Sequence, residues 1–132
     1  MMTDGVTAGS PASRPLAFVL DCPDPRELAR FYGRLLDWGV SEADSDENWV
    51  ELADPLGGAR LAFQRVDGHA PPRWPDGSPQ QAHLDLRVGG AAEAESLAGA
   101  VGAARLPQPA DESDANFRVY ADPAGHPFCL CW

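Results

Sequence analysis

The chain repeats itself. NWVELADPLG at 48–57 returns as NFRVYADPAG at 116–125, an offset of 68 residues (48 to 116), with Asn, Ala, Asp, Pro and Gly identical. Each copy is an alternating, aromatic-bearing strand ending in Asp-Pro-x-Gly. In that turn signature Pro presets φ and Gly accepts positive φ. A short apolar run follows each turn, RLAFQ at 60–64 and FCLCW at 128–132. Two hairpins of one design, half a chain apart, restrict the fold to two copies of one supersecondary unit.

The segments ahead of the hairpins correspond as well. LAFVLDC at 16–22 and AHLDLRV at 82–88 both read as strands, and a helix follows each. In the first helix Asp24 suits the N-cap, Pro25 the first helical position, and Glu27 completes a capping-box pattern. Leu28, Phe31, Tyr32, Leu35 and Leu36 then form one apolar stripe. The second helix spans 91–101, with Ala94, Leu97, Ala98 and Val101 on one face and Gly102 as its stop. Residues 40–43 and 104–106 read as short second strands. Each half is therefore strand, helix, three strands, an α+β arrangement of two tandem βαβββ modules. Module one covers 15–66 and module two 82–132, within a single domain of 15–132. Residues 1–14, polar and punctuated by Gly and Pro, read as a disordered tail. The linker at 67–81, DGHAPPRWPDGSPQQ, suits a surface connection. Its Trp74 either pins the loop to the body or covers a ligand.

A chain of 132 residues, 44% apolar, has material for one core without disulfides or metal. The formal charge of −10 disfavours nucleic acid and leaves neutral or cationic small molecules as the easier ligands. No stretch approaches the ~18 apolar residues of a membrane span, and no basic region precedes an apolar one at the N-terminus. A soluble cytoplasmic protein is expected. Cys22, Cys129 and Cys131, an odd number without framework spacing, read as buried free thiols of a reducing compartment.

LDCPDPRELARFYGRLLDW, WVELADPLGGARLAFQRV, HLDLRV and ADPAGHPFCLCW, in this order and spacing, resemble the vicinal oxygen chelate superfamily of glyoxalases, bleomycin resistance proteins and extradiol dioxygenases. Within it the chain is most similar to the glyoxalase-like proteins common in actinobacteria. The resemblance covers 15–132. It implies that each module curls its strands into a half-barrel and that paired modules enclose a cavity, often with a second subunit, so a homodimer is expected. Metal-dependent members hold a divalent cation with a His or Gln on the first strand and a Glu on the last strand of each module. Carried over, these positions fall on Ala17, on Leu61 by the 68-residue offset, on His83 and on Cys129. One nitrogen and one thiolate remain, short of the roughly three protein ligands of a catalytic metal site. The implied site is degenerate, with no metal and no cofactor.

Alternation along the strand puts His83, Asp85 and Arg87 on one face, with Leu84, Leu86 and Val88 on the other. Asp21 holds the matching place in module one. A histidine beside a carboxylate can carry acid–base work, the carboxylate setting its tautomer; the same row also reads as a structural salt-bridge network between modules. Asp85 and Arg87, two apart on a strand at about 7 Å, are expected to seek cross-strand partners. Cys129 and Cys131 read as core residues of a terminal strand, with Cys129 also able to line the cavity. Trp49 and Phe117, equivalent by the duplication, read as core or interface residues, Trp49 also as a ligand contact. His126 is expected in a solvent-facing turn, His69 in the inter-module loop, and EADSDE at 42–47 as a solvated hairpin tip.

Three classes of function follow. The first is a metal-independent small-molecule binding protein of the resistance or sequestration type. Its ligand would be aromatic or cationic and held by His83, Asp85, Arg87, Asp21, Cys129 and Trp49. The second is an enzyme, either a lyase or isomerase using His83 and Asp85 or a diverged metal-dependent enzyme with a rebuilt site. The third is a structural or regulatory module with a vestigial cavity.

Overall fold

The structure, a computed structural model, describes residues 14–108 and 115–132. The tail expected at 1–14 lies outside them except for Arg14. Among the described residues the strands and α-helices follow one another as β1 (Ala17–Cys22), α1 (Pro25–Leu36), β2 (Gly39–Val40), β3 (Trp49–Ala53), β4 (Arg60–Arg65), β5 (Leu84–Arg87), α2 (Ala91–Val101), β6 (Ala104–Arg105), β7 (Phe117–Ala121) and β8 (Pro127–Cys131). They make two four-stranded sheets of identical plan, β1-β4-β3-β2 and β5-β8-β7-β6. In each, the first and last strands pair in parallel and the rest antiparallel. This is the expected pair of βαβββ modules.

The duplicated turns close through equivalent hydrogen bonds. Gly57 N–H donates to the Asp54 carbonyl and Gly125 N–H to the Asp122 carbonyl, both at 2.9 Å. Leu56 and Ala124 N–H donate to the Oδ1 of the same aspartates, both at 2.9 Å. The two glycines have φ of 81° and 90°. Gly125 is needed twice over, because a Cβ there would also collide with Pro71 of the linker. Past the turns the offset slips by one residue. Leu52 pairs with Leu61 but Tyr120 with Phe128, so Leu61 corresponds to Phe128 and Ala62 to Cys129. The expectation that Leu61 matches Cys129 is corrected to Ala62; module one spends one more residue between its Gly and its last strand.

Helix α1 begins as expected: Asp24 Oδ1 accepts from Glu27 N–H at 3.3 Å, with Pro25 at the first position. Its buried stripe of Leu28, Phe31, Tyr32 and Leu35 sits in the one core cluster shared by both modules. Tyr32 stacks on Phe63 of β4 at 5.7 Å, and Phe31 meets Phe128 of β8 edge-on at 5.7 Å. Leu28, Phe63 and Phe128 are fully buried, each contributing roughly 1.5–3 kcal/mol. Helix α2 spans 91–101 as read, ending on Gly102 at φ 74°.

Several short elements depart from the sequence reading. The strand expected at 40–43 stops at Val40, and Glu42–Asp44 form a 3-10 turn. Ser41 Oγ donates to Asp44 Oδ2 at 2.7 Å, and such local side-chain bonds compete with a strand ladder. The acidic run is not merely solvated: Glu42 takes a two-pronged contact from Arg26 at 2.8 and 2.9 Å, and Asp44 a 2.8 Å contact from Arg60. Strand β6 is Ala104–Arg105, although Leu106 N–H continues the pairing to Val119. The strand expected at 82–88 is shortened to Leu84–Arg87, which leaves His83 just ahead of it.

Candidate functional site

Strand β5 divides its side chains by face. Leu84 and Leu86 pack on the core, while His83, Asp85 and Arg87 are exposed on the opposite side. Parallel pairing sets Asp85 beside Cys129 and Arg87 beside Cys131. Antiparallel pairing adds Val119 and Phe117 to the same face. Cys129 is buried but lies outside the core cluster that holds its neighbours Phe128 and Leu130.

His83, Asp85 and Cys129 converge: one nitrogen, one carboxylate oxygen and the sulfur all lie within 4.8 Å of one another. His83 Nε2 is 3.1 Å from Asp85 Oδ1. Asp85 thus finds one partner two residues back along the chain and, as expected from strand spacing, another across the sheet, where it accepts a hydrogen bond from the Cys131 thiol of β8. Side chains lean along a strand, and His83, ahead of its first residue, is released from the pleat. The three open into a cleft of about 300 Å³, lined also by Asn116, Phe117 and Cys131. A second cleft of about 390 Å³ shares Asp85 and Cys131 and adds Arg87, Leu86 and Trp132. On the other side His83 borders an apolar cleft of about 150 Å³, where it meets Phe18, Val19 and Tyr32 of module one.

The electrostatics set Cys22 apart from Cys131. Burial, then the Asp122 carboxylate, pushes the Cys22 thiol up to about 11, and Cys22 belongs to the core. Burial and then Asp85 raise the Cys131 thiol, which is half-buried at the cleft edge. Of the core role expected for the Cys129–Cys131 pair, Cys129 keeps the burial and also lines the first cleft, as expected for it, while Cys131 is half-buried and lines both clefts. Arg118 lies over the Trp132 ring at 5.1 Å and braces that wall.

Two of the expected ligand contacts are not brought to this place. Trp49 stands on module one, its Nε1–H donating to Glu51 at 2.8 Å, and Asp21 is exposed on β1; neither lines the two clefts around Asp85. His126, expected to face solvent, instead bridges the modules, its Nε2 2.6 Å from the Asp21 carbonyl. His69 Nε2 is 2.9 Å from the Ala124 carbonyl, and the two imidazoles lie 5.3 Å apart. A carbonyl only accepts, so both Nε2 atoms carry the proton. Residues that sequence reasoning left out are Asn116, Phe117 and Cys131 in the first cleft and Trp132 in the second. The alternation of Phe117 with Val119 and of Cys129 with Cys131 was visible, but which face they shared with Asp85 needed the register.

The glyoxalase-like domain family model matches residues 17–131. The chain belongs to that family. Comparison with curated protein sequences returns no match. Solved structures share the fold of this glyoxalase-like domain at low identity. A glyoxalase/bleomycin resistance protein/dioxygenase family enzyme from Burkholderia phytofirmans is 16% identical, with a TM-score of 0.67 over 89% of this chain and 97% of that one. A glyoxalase family protein from Enterococcus faecalis is 18% identical, with 0.62 over 89% and 95%. The fosfomycin resistance protein FosX from Mesorhizobium loti is 15% identical, with 0.57 over 98% and 92%.

The four-ligand cation seat that the resemblance implies does not fit this glyoxalase-like domain. By register, Val19 lies beside Ala62 as Asp85 lies beside Cys129, so Ala17 answers to His83 and Ala62 to Cys129. Two alanines offer no donor, and module one supplies half of that seat in the pattern. No helix among the described residues is long and apolar enough to cross a membrane.

Proposed function

We propose that this glyoxalase-like domain binds a small organic molecule with a planar aromatic or cationic portion, in the sequestration manner of resistance proteins. The observation that carries the reading is the His83–Asp85 pair, 3.1 Å apart and exposed at a cleft floored by Cys129 and walled by Phe117. Polar groups on an otherwise apolar sheet face hold a ligand's polar atoms, and the aromatic wall takes its ring. Arg87, in the adjoining cleft, accepts an anionic substituent. Binding in this mode does not use the four-ligand cation of the wider superfamily. The reading is supported by a fold whose solved relatives include a fosfomycin resistance protein. A thermal-shift screen against cationic antibiotics, aromatic metabolites and α-keto acids tests it. A ligand at 100 times its Kd stabilises the fold by about 2.7 kcal/mol; no shift with any class sinks the reading.

The same pair favours a second reading, a lyase or isomerase in which His83 moves a proton and Asp85 orients its ring. Turnover of a screened ligand, lost in His83→Ala, separates it from simple binding.

We also propose a homodimer. Phe18 is 52% and Val19 43% exposed on β1, an edge strand of its sheet, and an apolar unpaired edge is what a second copy covers. A cytoplasmic location is supported by three cysteines that are all unbridged.

A further inference from the structure

The superfamily pattern divides its cation ligands between the modules, and module one of this chain has none to give. The structure nevertheless groups three donors of different chemistry inside module two. His83 and Cys129 stand at pattern positions; Asp85 does not, and it enters because it leans toward His83 and pairs in register with Cys129. We propose that His83, Asp85 and Cys129 form a one-sided seat for a single divalent cation of the zinc kind. Counting only pattern positions leaves two donors, which was the ground for expecting none.

Three observations carry it. The donor atoms lie within 4.8 Å of one another, so a small shift brings all three to one ion at the roughly 2.0–2.3 Å of zinc–ligand bonds. The set is imidazole, carboxylate and thiol, borderline to soft, which selects zinc or cobalt over magnesium or calcium. The side that module one would close is lined by Ala17 and Ala62 in the pattern, so three protein ligands leave a fourth position open to the 300 Å³ cleft, the arrangement of zinc sites that act on a ligand. Binding replaces the His83–Asp85 contact by two bonds to the cation, and the Cys129 thiol passes its proton to solvent.

The inference shares its cleft with the proposed ligand site but does not rest on it, because the cation is measured with no organic molecule added. The full chain, purified without a metal-affinity tag and stripped with chelator, is loaded with zinc or cobalt(II) and desalted. One metal per chain is expected, and the cobalt form is expected to show a sulfur-to-cobalt charge-transfer band. Cys129→Ser abolishes that band and Cys131→Ser keeps it. His83→Ala and Asp85→Asn each weaken zinc at least about tenfold in competition with a chromophoric chelator, a loss that even an outer partner of a ligand can bring. Circular dichroism of each metal-free variant checks its fold; should Cys129→Ser unfold, the other two variants decide the outcome. Substoichiometric zinc in the parent chain overturns the proposal, and so does a band that survives Cys129→Ser or vanishes with Cys131→Ser. Zinc bound without any thermal shift from organic ligands leaves this site standing and removes the sequestration reading alone.

Discussion

Tyr32 Oη donates a 2.7 Å hydrogen bond to Asp122 Oδ2, joining the helix of module one to the hairpin turn of module two. Both groups are buried, and the other carboxylate oxygen takes the N–H groups of Ala124 and His126. Among the described residues, Tyr32 supplies the side-chain hydrogen bond to this carboxylate from the first module. Tyr32→Phe leaves a buried acceptor without its donor and is expected to cost about 1–3 kcal/mol, read as a lowered urea midpoint. An unchanged midpoint would show that the bond contributes nothing net.

Burial holds the Asp122 carboxyl above the usual carboxylate range, against the hydrogen bonds it accepts. The folded chain therefore binds this proton more tightly than the unfolded one. The group's contribution to stability is full below its unfolded pKa of about 3.9 and is lost as pH rises through the folded value. Asp122→Asn removes the titration. The stability of the parent chain relative to Asp122→Asn is expected to be greatest near pH 4 and smaller at pH 7, measured by urea unfolding at both. A difference that grows with pH would reverse the sign.

Gly57 and Gly125 separate backbone strain from crowding. Both have positive φ, but only Gly125 would place a Cβ against the linker. Gly57→Ala is expected to cost about 1–2 kcal/mol, the left-handed penalty alone, and Gly125→Ala clearly more. Melting temperatures of the two variants check the order; equal losses would mean that Pro71 yields freely.

Phe18 is the apolar group that a second copy would cover. Phe18→Asp is expected to convert a dimer to a monomer while the far-ultraviolet spectrum is retained. Light scattering on the two proteins decides it, and a parent chain already monomeric refutes the dimer.

At the cleft, His83→Ala and Asp85→Ala are expected to weaken binding of any screened ligand at least tenfold. Their exposure means little loss of stability, within about 0.5 kcal/mol, as for other surface changes. Variants that lose the fold instead would make the row a structural one.

The reach of sequence reading shows in particular residues. Asp24, Pro25 and Gly102 act through bonds to their own chain neighbours, so the helix ends could be placed from the letters alone. The paired Asp-Pro-x-Gly turns are equally local, and their repetition was enough for two βαβββ modules. The second strand of module one was misjudged beyond Val40 because Ser41 and Asp44 bond to each other instead of to the ladder, a contest that propensity does not settle.

The face on which His83, Asp85 and Arg87 stand was legible because strands alternate with a period of two. What joins them was not. A one-residue slip after the second turn, visible only in the pairing of Tyr120 with Phe128, decides that Cys129 answers to Ala62 and sits beside Asp85. His126 and Asp21 meet 105 positions apart, as Tyr32 and Asp122 meet 90 apart. Local periodicity determined the elements and their faces, since those depend on neighbours in the chain. The site and the joint between modules depend on register and packing between distant segments, which only the folded chain specifies.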